Sequence, residues 1–358
     1  MRYRTGDYLA ILPRNPAAVA DRALRRFALA IDAQLVIRST TTAAASLPTG
    51  YPISARTLLL GYFELAQPAT RAQLKQLAAV TGERAEREEL ERLSEPGAYE
   101  EAVLAKRWSV LDLIVRARSC SIPFAQFLAM LPLLRPRQYS ISSSPMIDEE
   151  IATLTVAVVD AEALSGQGRY QGVASTFLAS LQPGDRLPVV VRPSQAAFRP
   201  PEDPRVPMVM VCAGTGIAPF RGFLQERSAQ RSAGREVAKS LLFFGMDHPD
   251  VDFLYRDEME RWEIEGVVEV RTAFSAKPEG DVSFVQHRIW EDRDEVARYF
   301  REGAQFYVCG DGKYMAPAVR ETFIRIYQTT MEVSEDMARR WADRMEHEHG
   351  RYVADVFL

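Results

Sequence analysis

Cysteine and histidine are scarce in this chain: its 358 residues include three cysteines and four histidines. Cys120, Cys212 and Cys309 lie far apart with no CxxC spacing. That excludes a disulfide framework and a zinc site of the usual ligand spacing, and points to a reducing compartment, the cytoplasm. His347 and His349 flank Glu348 at what reads as a helix end. Two-residue spacing puts them on different helix faces, so a solvated pair is expected there and no metal site. Excess charge of one sign is also lacking. Lys and Arg total 44 against 48 Asp and Glu, a net charge of −4, so neither nucleic acid nor an anionic membrane is expected as a partner. No apolar run approaches the roughly 18 residues of a membrane span. Met1-Arg2-Tyr3-Arg4 leads into turn residues, not into the apolar region of a signal peptide. Internal repeats are absent.

What is present is an ordinary globular composition, 47% hydrophobic and 26% charged, at a length that suggests two domains or one with a large insertion. Three regions separate on pattern. Residues 14–131 read as mostly helical, with capped starts at Thr70-x-x-Gln73 and Ser109-x-x-Asp112. Within them, charged Glu83 to Glu91 reads as a solvated helix face, and residues 39–57, rich in Ser, Thr and Ala, as a loop. Residues 133–200 read as strands, chiefly Ala152–Val159 and Arg186–Val191, with a turn at Pro183-Gly184-Asp185. From 206 onward strands and helices alternate. Strands are expected at Val206–Ala213, Lys239–Met246, Val267–Phe274 and Gln305–Cys309. Helices are expected at Pro219–Gln230, Asp252–Trp262, Ser283–Arg301 and Met315–Gln328. That alternation predicts a doubly wound parallel sheet.

Four stretches carry chemistry. Arg137-Gln138-Tyr139-Ser140-Ile141-Ser142-Ser143-Ser144-Pro145 sets a cation, a ring and a hydroxyl along one strand, with Ser140 on the opposite face from Arg137 and Tyr139. A flat cofactor carrying a diphosphate needs those groups; a plain strand with a stray Arg and Tyr is the alternative. Gly172-Val173-Ala174-Ser175 opens a helix whose N–H groups can hold a phosphate, or is a simple cap. Gly214-Thr215-Gly216-Ile217-Ala218-Pro219-Phe220 follows a strand and opens a helix, which suits close backbone approach to a phosphate. Finally, Cys309-Gly310-Asp311-Gly312 and Met315-Ala316-Pro317 lie at a strand's C-terminal end, where such sheets bind ligands; a buried structural cysteine is the other reading. At the terminus, Phe357 is either a core position or a lid over a flat ring.

Together, and in this order, these motifs resemble the FAD/NADP(H) module of the diflavin reductases, within the ferredoxin–NADP reductase superfamily. The resemblance spans essentially the whole chain. It is closest to the reductase part of bacterial self-sufficient cytochrome P-450 fatty-acid hydroxylases, through stretches such as Gly6-Asp7-Tyr8-Leu9-Ala10-Ile11-Leu12-Pro13-Arg14-Asn15 and Pro219-Phe220-Arg221-Gly222-Phe223. It implies an antiparallel FAD-binding barrel from 1–13 and 132–203, a helical connecting insertion at 14–131, and a nucleotide-binding α/β domain at 204–358. It implies that Arg137 pairs with the FAD diphosphate, Tyr139 stacks on the flavin and Ser140 lies near its reactive nitrogen. Gln138, Thr155, Val156, Ala157, Gly172, Val173, Ala174 and Ser175 would complete the FAD site, with Phe357 over the ring. Ser140, Cys309 and Asp355 would surround the nicotinamide. Gly214, Thr215, Gly216, Asp247, Ser275, Ala276, Lys277, Phe284, Gln286, Gly310, Asp311 and Met315 would bind the rest of NADPH or NADH.

The implied activity is hydride transfer from nicotinamide to FAD, then electron transfer through an FMN module to haem. The implied partners are a flavodoxin-like FMN domain and a haem protein, in cis upstream or in trans, with FMN expected only on that missing or partner module. A sulfite-reductase-type flavoprotein and an inactive fragment are the alternatives. Two departures stand out. Relatives have one or two barrel strands before the position of Met1. They also carry Arg, Arg and Lys where this chain has Asp247, Ala276 and Val282, so contacts to the 2′-phosphate of NADPH are depleted.

Overall fold

A computed structural model describes residues 2–38, 47–194 and 198–357. The chain divides into two compact units. One comprises Met1–Ala10, Gln138–Val156 and Val190–Leu358; the other comprises Ile11–Arg137 and Ala157–Val189.

The second unit is mainly helical. Its helices include Ala17–Arg26, Ala55–Gly61, Arg71–Ala79, Arg84–Leu93, Val110–Arg116 and Phe124–Met130. They bury one core that includes Leu58, Leu74, Leu77, Ile114 and Phe127. Both expected capping boxes form: Thr70 with Gln73 and Ser109 with Asp112. Arg84–Leu93 exposes most of its charged face, as its pattern requires. Two antiparallel pairs accompany the helices: Gln34–Val36 with Pro52–Ser54, and Asp160–Glu162 with Arg169–Gln171. The expected loop at 39–57 thus ends in a strand and in a helix capped by Ser54, whose hydroxyl accepts from Thr57 N–H. Residues 39–46 of that loop lie outside the described residues.

The first unit holds a five-stranded parallel sheet. Its strands are Met208–Ala213, Ser240–Met246, Val268–Phe274, Gln305–Asp311 and Tyr352–Phe357, arranged 3-2-1-4-5 in chain order. Every residue of Ser240–Met246 is buried, as expected for a strand covered on both faces. One face packs on a core with Phe306, Val308 and Phe323, the other on a core with Phe220, Phe223, Phe244 and Tyr307. A smaller sheet orders Arg137–Ser140, Tyr8–Ile11 and Val189–Arg192. All but one terminal residue of each of these three strands belong to the first unit.

Several sequence expectations are corrected. Ala152–Val159 makes only one isolated bridge, Leu154 to Ile141. Val158 and Val159 are 55% and 45% exposed, so their apolar character is not matched by a face to bury. The strand expected at Arg186 begins at Val189. The helix expected from Asp252 begins at Arg256, because the Asp252 carboxylate accepts from the Asp247 and His248 N–H groups and Tyr255 is left-handed (φ 58°). Ser283–Arg301 is two helices, Val285–Glu291 and Arg293–Arg301, divided at Asp292. Glu335–His347 is a full helix of which the pattern gave only the end.

The two capping boxes differ in burial and so in expected worth. Ser109 is 4% exposed, and Asp112 also receives Arg22 at 2.6 Å; Thr70 is exposed. Ser109→Ala should cost about 1–2 kcal/mol and Thr70→Ala about 0.5–1 kcal/mol. Urea unfolding of both variants checks this, and a larger loss at Thr70 would contradict it.

Candidate active site and nucleotide cavity

The register of the parallel sheet builds the first cluster. Cys212, Cys309 and Asp355 are direct neighbours across three strands. Side chains alternate along a strand, so Cys309 and Tyr307 face one core while Phe306 and Val308 face the other. Asp355 lies on the final strand at the sheet's edge. Its carboxylate accepts from Tyr8 OH at 2.9 Å and from Ser140 Oγ at 3.4 Å. Ser140, Cys309 and Asp355, far apart in sequence, are thus brought together, with Tyr8 as a fourth member that the sequence reading did not single out. Its signal was present: an aromatic directly after Gly6-Asp7 at the start of a strand.

Burial shapes the charge of this cluster. Desolvation raises the pKa of Asp355, and the Tyr8 and Ser140 hydroxyls work against that rise. Desolvation, and then the Asp355 charge, push the Cys309 thiol well above its ordinary value. A buried, neutral thiol offers shape and a weak donor, not a nucleophile. Tyr8 is likewise held protonated by burial and by Asp355.

Ser142, Ser143 and Ser144 are buried and structural. The Ser144 N–H donates to Gln225 Oε1 at 2.9 Å, and Ser143 shares a 2.8 Å hydrogen bond with Tyr3 OH. Arg221 donates to the Ser142 carbonyl at 2.9 Å and to Thr153 Oγ1 at 3.1 Å. It also grips Glu258 with two bonds of 2.6 and 2.7 Å. Its guanidinium lies 4.6 Å from the Tyr255 ring centre, and Tyr255 OH bonds Thr155 Oγ1 at 2.7 Å. Arg221 positions the flavin-motif segment and was missed as such; a lone Arg on a helix face of Pro219, Phe220, Gly222 and Phe223 was its signal.

The remaining flavin-motif residues fall in both units. In the second unit, Arg137 is held bidentately by buried Glu64 at 2.8 and 3.0 Å. There too, Gly172 begins the helix Val173–Ser180 with no side-chain cap. A Cβ at Gly172 would lie 2.5 Å from Ser175 Oγ and 3.0 Å from Val159 Cβ, so a larger residue would have to displace the Ser175 hydroxyl. Ala157, Val173, Ala174 and Ser175 share that unit. Gln138, Tyr139, Thr155, Val156 and Phe357 lie in the first. Phe357, on the same strand face as Asp355, is 52% exposed. A fixed guanidinium and an uncapped helix start make a donor set suited to a diphosphate.

The second feature is a cavity of about 340 Å³ at the C-terminal edge of the parallel sheet. Of the residues assigned to the nicotinamide cofactor, Gly214, Asp247, Ser275, Phe284, Gln286, Asp311 and Met315 line it. Thr215, Gly216, Ala276, Lys277, Cys309 and Gly310 do not. Gly214–Gly216 forms a tight turn into the helix Ile217–Ser232, with Gly214 at φ 52°. A Cβ on Gly216 would come within 2.3 Å of the Cys309 carbonyl, so the glycine lets the turn close onto the neighbouring strand end. This is the topological switch point of the sheet, where such folds bind nucleotides. The glycine turn and cavity fit a dinucleotide.

Comparison with known proteins agrees with this geometry. Residues 1–177 match the FAD binding domain family, and residues 210–321 match the oxidoreductase NAD-binding domain family. The chain is 46% identical to a self-sufficient cytochrome P450 monooxygenase of Phanerodontia chrysosporium over 359 residues, covering 99% of this chain and 33% of that protein. It is 45% identical to a bifunctional cytochrome P450/NADPH–P450 reductase of Fusarium oxysporum, covering 100% and 34%. A protein of the same name from Bacillus cereus is 42% identical, with 99% and 33% covered. The chain therefore spans about a third of the length of the curated relatives it matches.

The raised pKa of Asp355 has a stability consequence with a definite sign. The folded chain holds this proton more tightly than the unfolded chain. The contribution is full below the ordinary Asp range, near pH 4, and is lost as pH rises through the raised value. Asp355→Asn should therefore gain in stability relative to wild type as pH rises from about 4 to neutrality. Urea midpoints across that range test it; a gap independent of pH would show that the carboxyl is not desolvated.

Proposed function

We propose that this chain, which belongs to the FAD- and NAD(P)H-binding module family of the diflavin reductases, takes hydride from a reduced nicotinamide cofactor onto FAD and passes electrons on singly. The onward carrier is an FMN-binding, flavodoxin-like domain, in cis or in trans, and the final acceptor is a haem protein of the cytochrome P-450 kind. The observation that carries this reading is the convergence of Ser140, Asp355, Cys309 and Tyr8, joined to a glycine turn at the sheet's switch point. Its unbridged, buried cysteines suit a reducing interior, and we place the module in the cytoplasm. Among the described residues no helix is long and apolar enough to cross a membrane.

When bound, FAD supplies the two-electron to one-electron conversion that no amino-acid side chain can perform. The chain's own residues bind and orient. Arg137, fixed by Glu64, and the N–H groups opening Val173–Ser180 would hold the diphosphate. Tyr139 would face the flavin ring, and Ser140 would place a hydroxyl donor at its reacting nitrogen. Asp355 would set a carboxylate where positive charge develops on the nicotinamide, which is electrostatic stabilisation without covalent chemistry. Tyr8 orients that carboxylate through its 2.9 Å bond, and Cys309, a neutral thiol, shapes the floor.

Two outcomes are expected. Ser140→Ala, Cys309→Ala and Asp355→Asn should each slow flavin reduction by about 10- to 1000-fold while FAD remains bound. Stopped-flow reduction at the wild-type rate in all three would refute these roles, and FMN as the main flavin released on denaturation would refute the cofactor. The chain alone should reduce ferricyanide, which takes electrons directly from FAD, but cytochrome c only slowly. Rapid cytochrome c reduction without an added FMN domain would show that no second carrier is needed.

A further inference from the structure

The cavity at the sheet edge carries an acidic bias that bears on which nicotinamide cofactor it accepts. Its charged lining consists of Asp247, Asp252 and Asp311, and no Lys or Arg is among the described residues that line it. Asp311 caps the following helix: it accepts from the Tyr314 N–H and from the Met315 N–H at 3.1 Å, and these bonds hold its carboxyl below the usual range. Asp252 ties down the turn after Ser240–Met246, accepting from the Asp247 N–H at 2.8 Å and the His248 N–H at 2.7 Å. That turn presents Asp247, exposed at the cavity mouth. Asp247 Oδ1 accepts from Ser275 Oγ at 2.6 Å, and its carbonyl accepts from the Ala276 N–H at 2.9 Å. Two nearby cations have partners, while Lys277, one residue beyond Ala276, is exposed and outside the lining. Arg288 bonds Glu279, Glu291 and the Thr272 carbonyl. Lys313 lies 4.9 Å from the ring centre of Tyr314, whose residue lines the cavity.

We infer that this cavity takes NADH at least as well as NADPH, with Asp247 as the specificity-determining residue. The inference rests on the reading of the chain as a nicotinamide-dependent reductase and names which cofactor that site takes. An acid beside the adenosine ribose accepts from a free 2′-hydroxyl, the arrangement dinucleotide folds use for NAD. A 2′-phosphate there is a dianion beside a carboxylate, and it must also take Ser275 from Asp247. Discrimination in its favour needs forked, charge-assisted donors, and the lining supplies none. Gln286 and Ser283 remain as neutral donors for either cofactor. The selection thus comes from one repulsive group and from missing attractive ones.

The test uses the FAD-loaded chain and two readouts. Calorimetric titration with ADP and with adenosine 2′,5′-bisphosphate reads the ribose site alone. Anaerobic bleaching of the flavin by NADH and by NADPH reads productive binding. ADP should bind at least as tightly as the bisphosphate, and NADH should bleach at least as efficiently as NADPH. Asp247→Asn should tighten the bisphosphate, and Ala276→Arg should raise its affinity relative to ADP by about tenfold or more. A wild-type preference of more than about tenfold for the bisphosphate and for NADPH, roughly 1.4 kcal/mol, overturns the inference while leaving the reductase reading standing. Failure of all four ligands to bind or bleach overturns the reductase reading, and this inference with it.

Discussion

The first unit depends on one guanidinium. Arg221 sits on the helix that follows the glycine turn, yet three of its partners, the Ser142 carbonyl, Thr153 Oγ1 and the Tyr255 ring, belong to or hold the flavin-motif segment. Its fourth partner, Glu258, comes from the next helix of the parallel-sheet part. The Arg221 side chain is 13% exposed and Glu258 is 28% exposed, so water competes weakly with these bonds. Removing either partner would leave a charge stranded, the costly way to break such a pair. Around this node Gly222 lets the helix approach the Ser143 carbonyl, where a Cβ would come within 3.0 Å. Ser140 is only a few residues from these anchors. Its 3.4 Å approach to Asp355 therefore inherits the rigidity of a packed helix, not that of a loop.

Much of this was legible in the sequence, and the reasons are local. Four of the five strands of the parallel sheet announce themselves because they are largely apolar and bounded by turn residues, signals that act within a few residues; Tyr352–Phe357 was not read as a strand. The capping boxes at Thr70 and Ser109 are four-residue motifs with a mechanism of their own. The strand Arg137–Ser140 was likewise visible in its alternation. What failed depended on distant neighbours. Ala152–Val159 has the residues of a strand, but whether they find a ladder partner is decided elsewhere in the chain. The late start of the helix at Arg256 depends on Asp252 bonding the turn behind it.

The candidate site shows the same division. Residue types pointed to Ser140, Cys309 and Asp355 through family resemblance, but nothing in a linear pattern gives their mutual distance or the place of Tyr8. Register supplies it: once Cys309 pairs with Asp355 across parallel strands, the carboxylate's position follows. The serines at 142–144 had no role assigned from the motif; in the structure they are the segment's fastenings, engaged with Gln225, Thr153 and Tyr3.

Two carboxylate environments in one unit then carry opposite tasks. Asp355 is taken partly out of water and held by two hydroxyls, so its charge is costly on its own and would gain most from a positive centre facing it. Asp247 stays at a solvent-facing mouth, where its charge costs little and acts mainly on which ligand is tolerated. On the reading proposed above, burial decides the difference: partly buried Asp355 would stabilise developing positive charge, and exposed Asp247 would disfavour a second negative charge. In the 3-2-1-4-5 order Asp355 stands on an edge strand, whereas Asp247 follows the second strand, which has Val268–Phe274 outside it. The order places the edge strand that carries Asp355 beside Ser140.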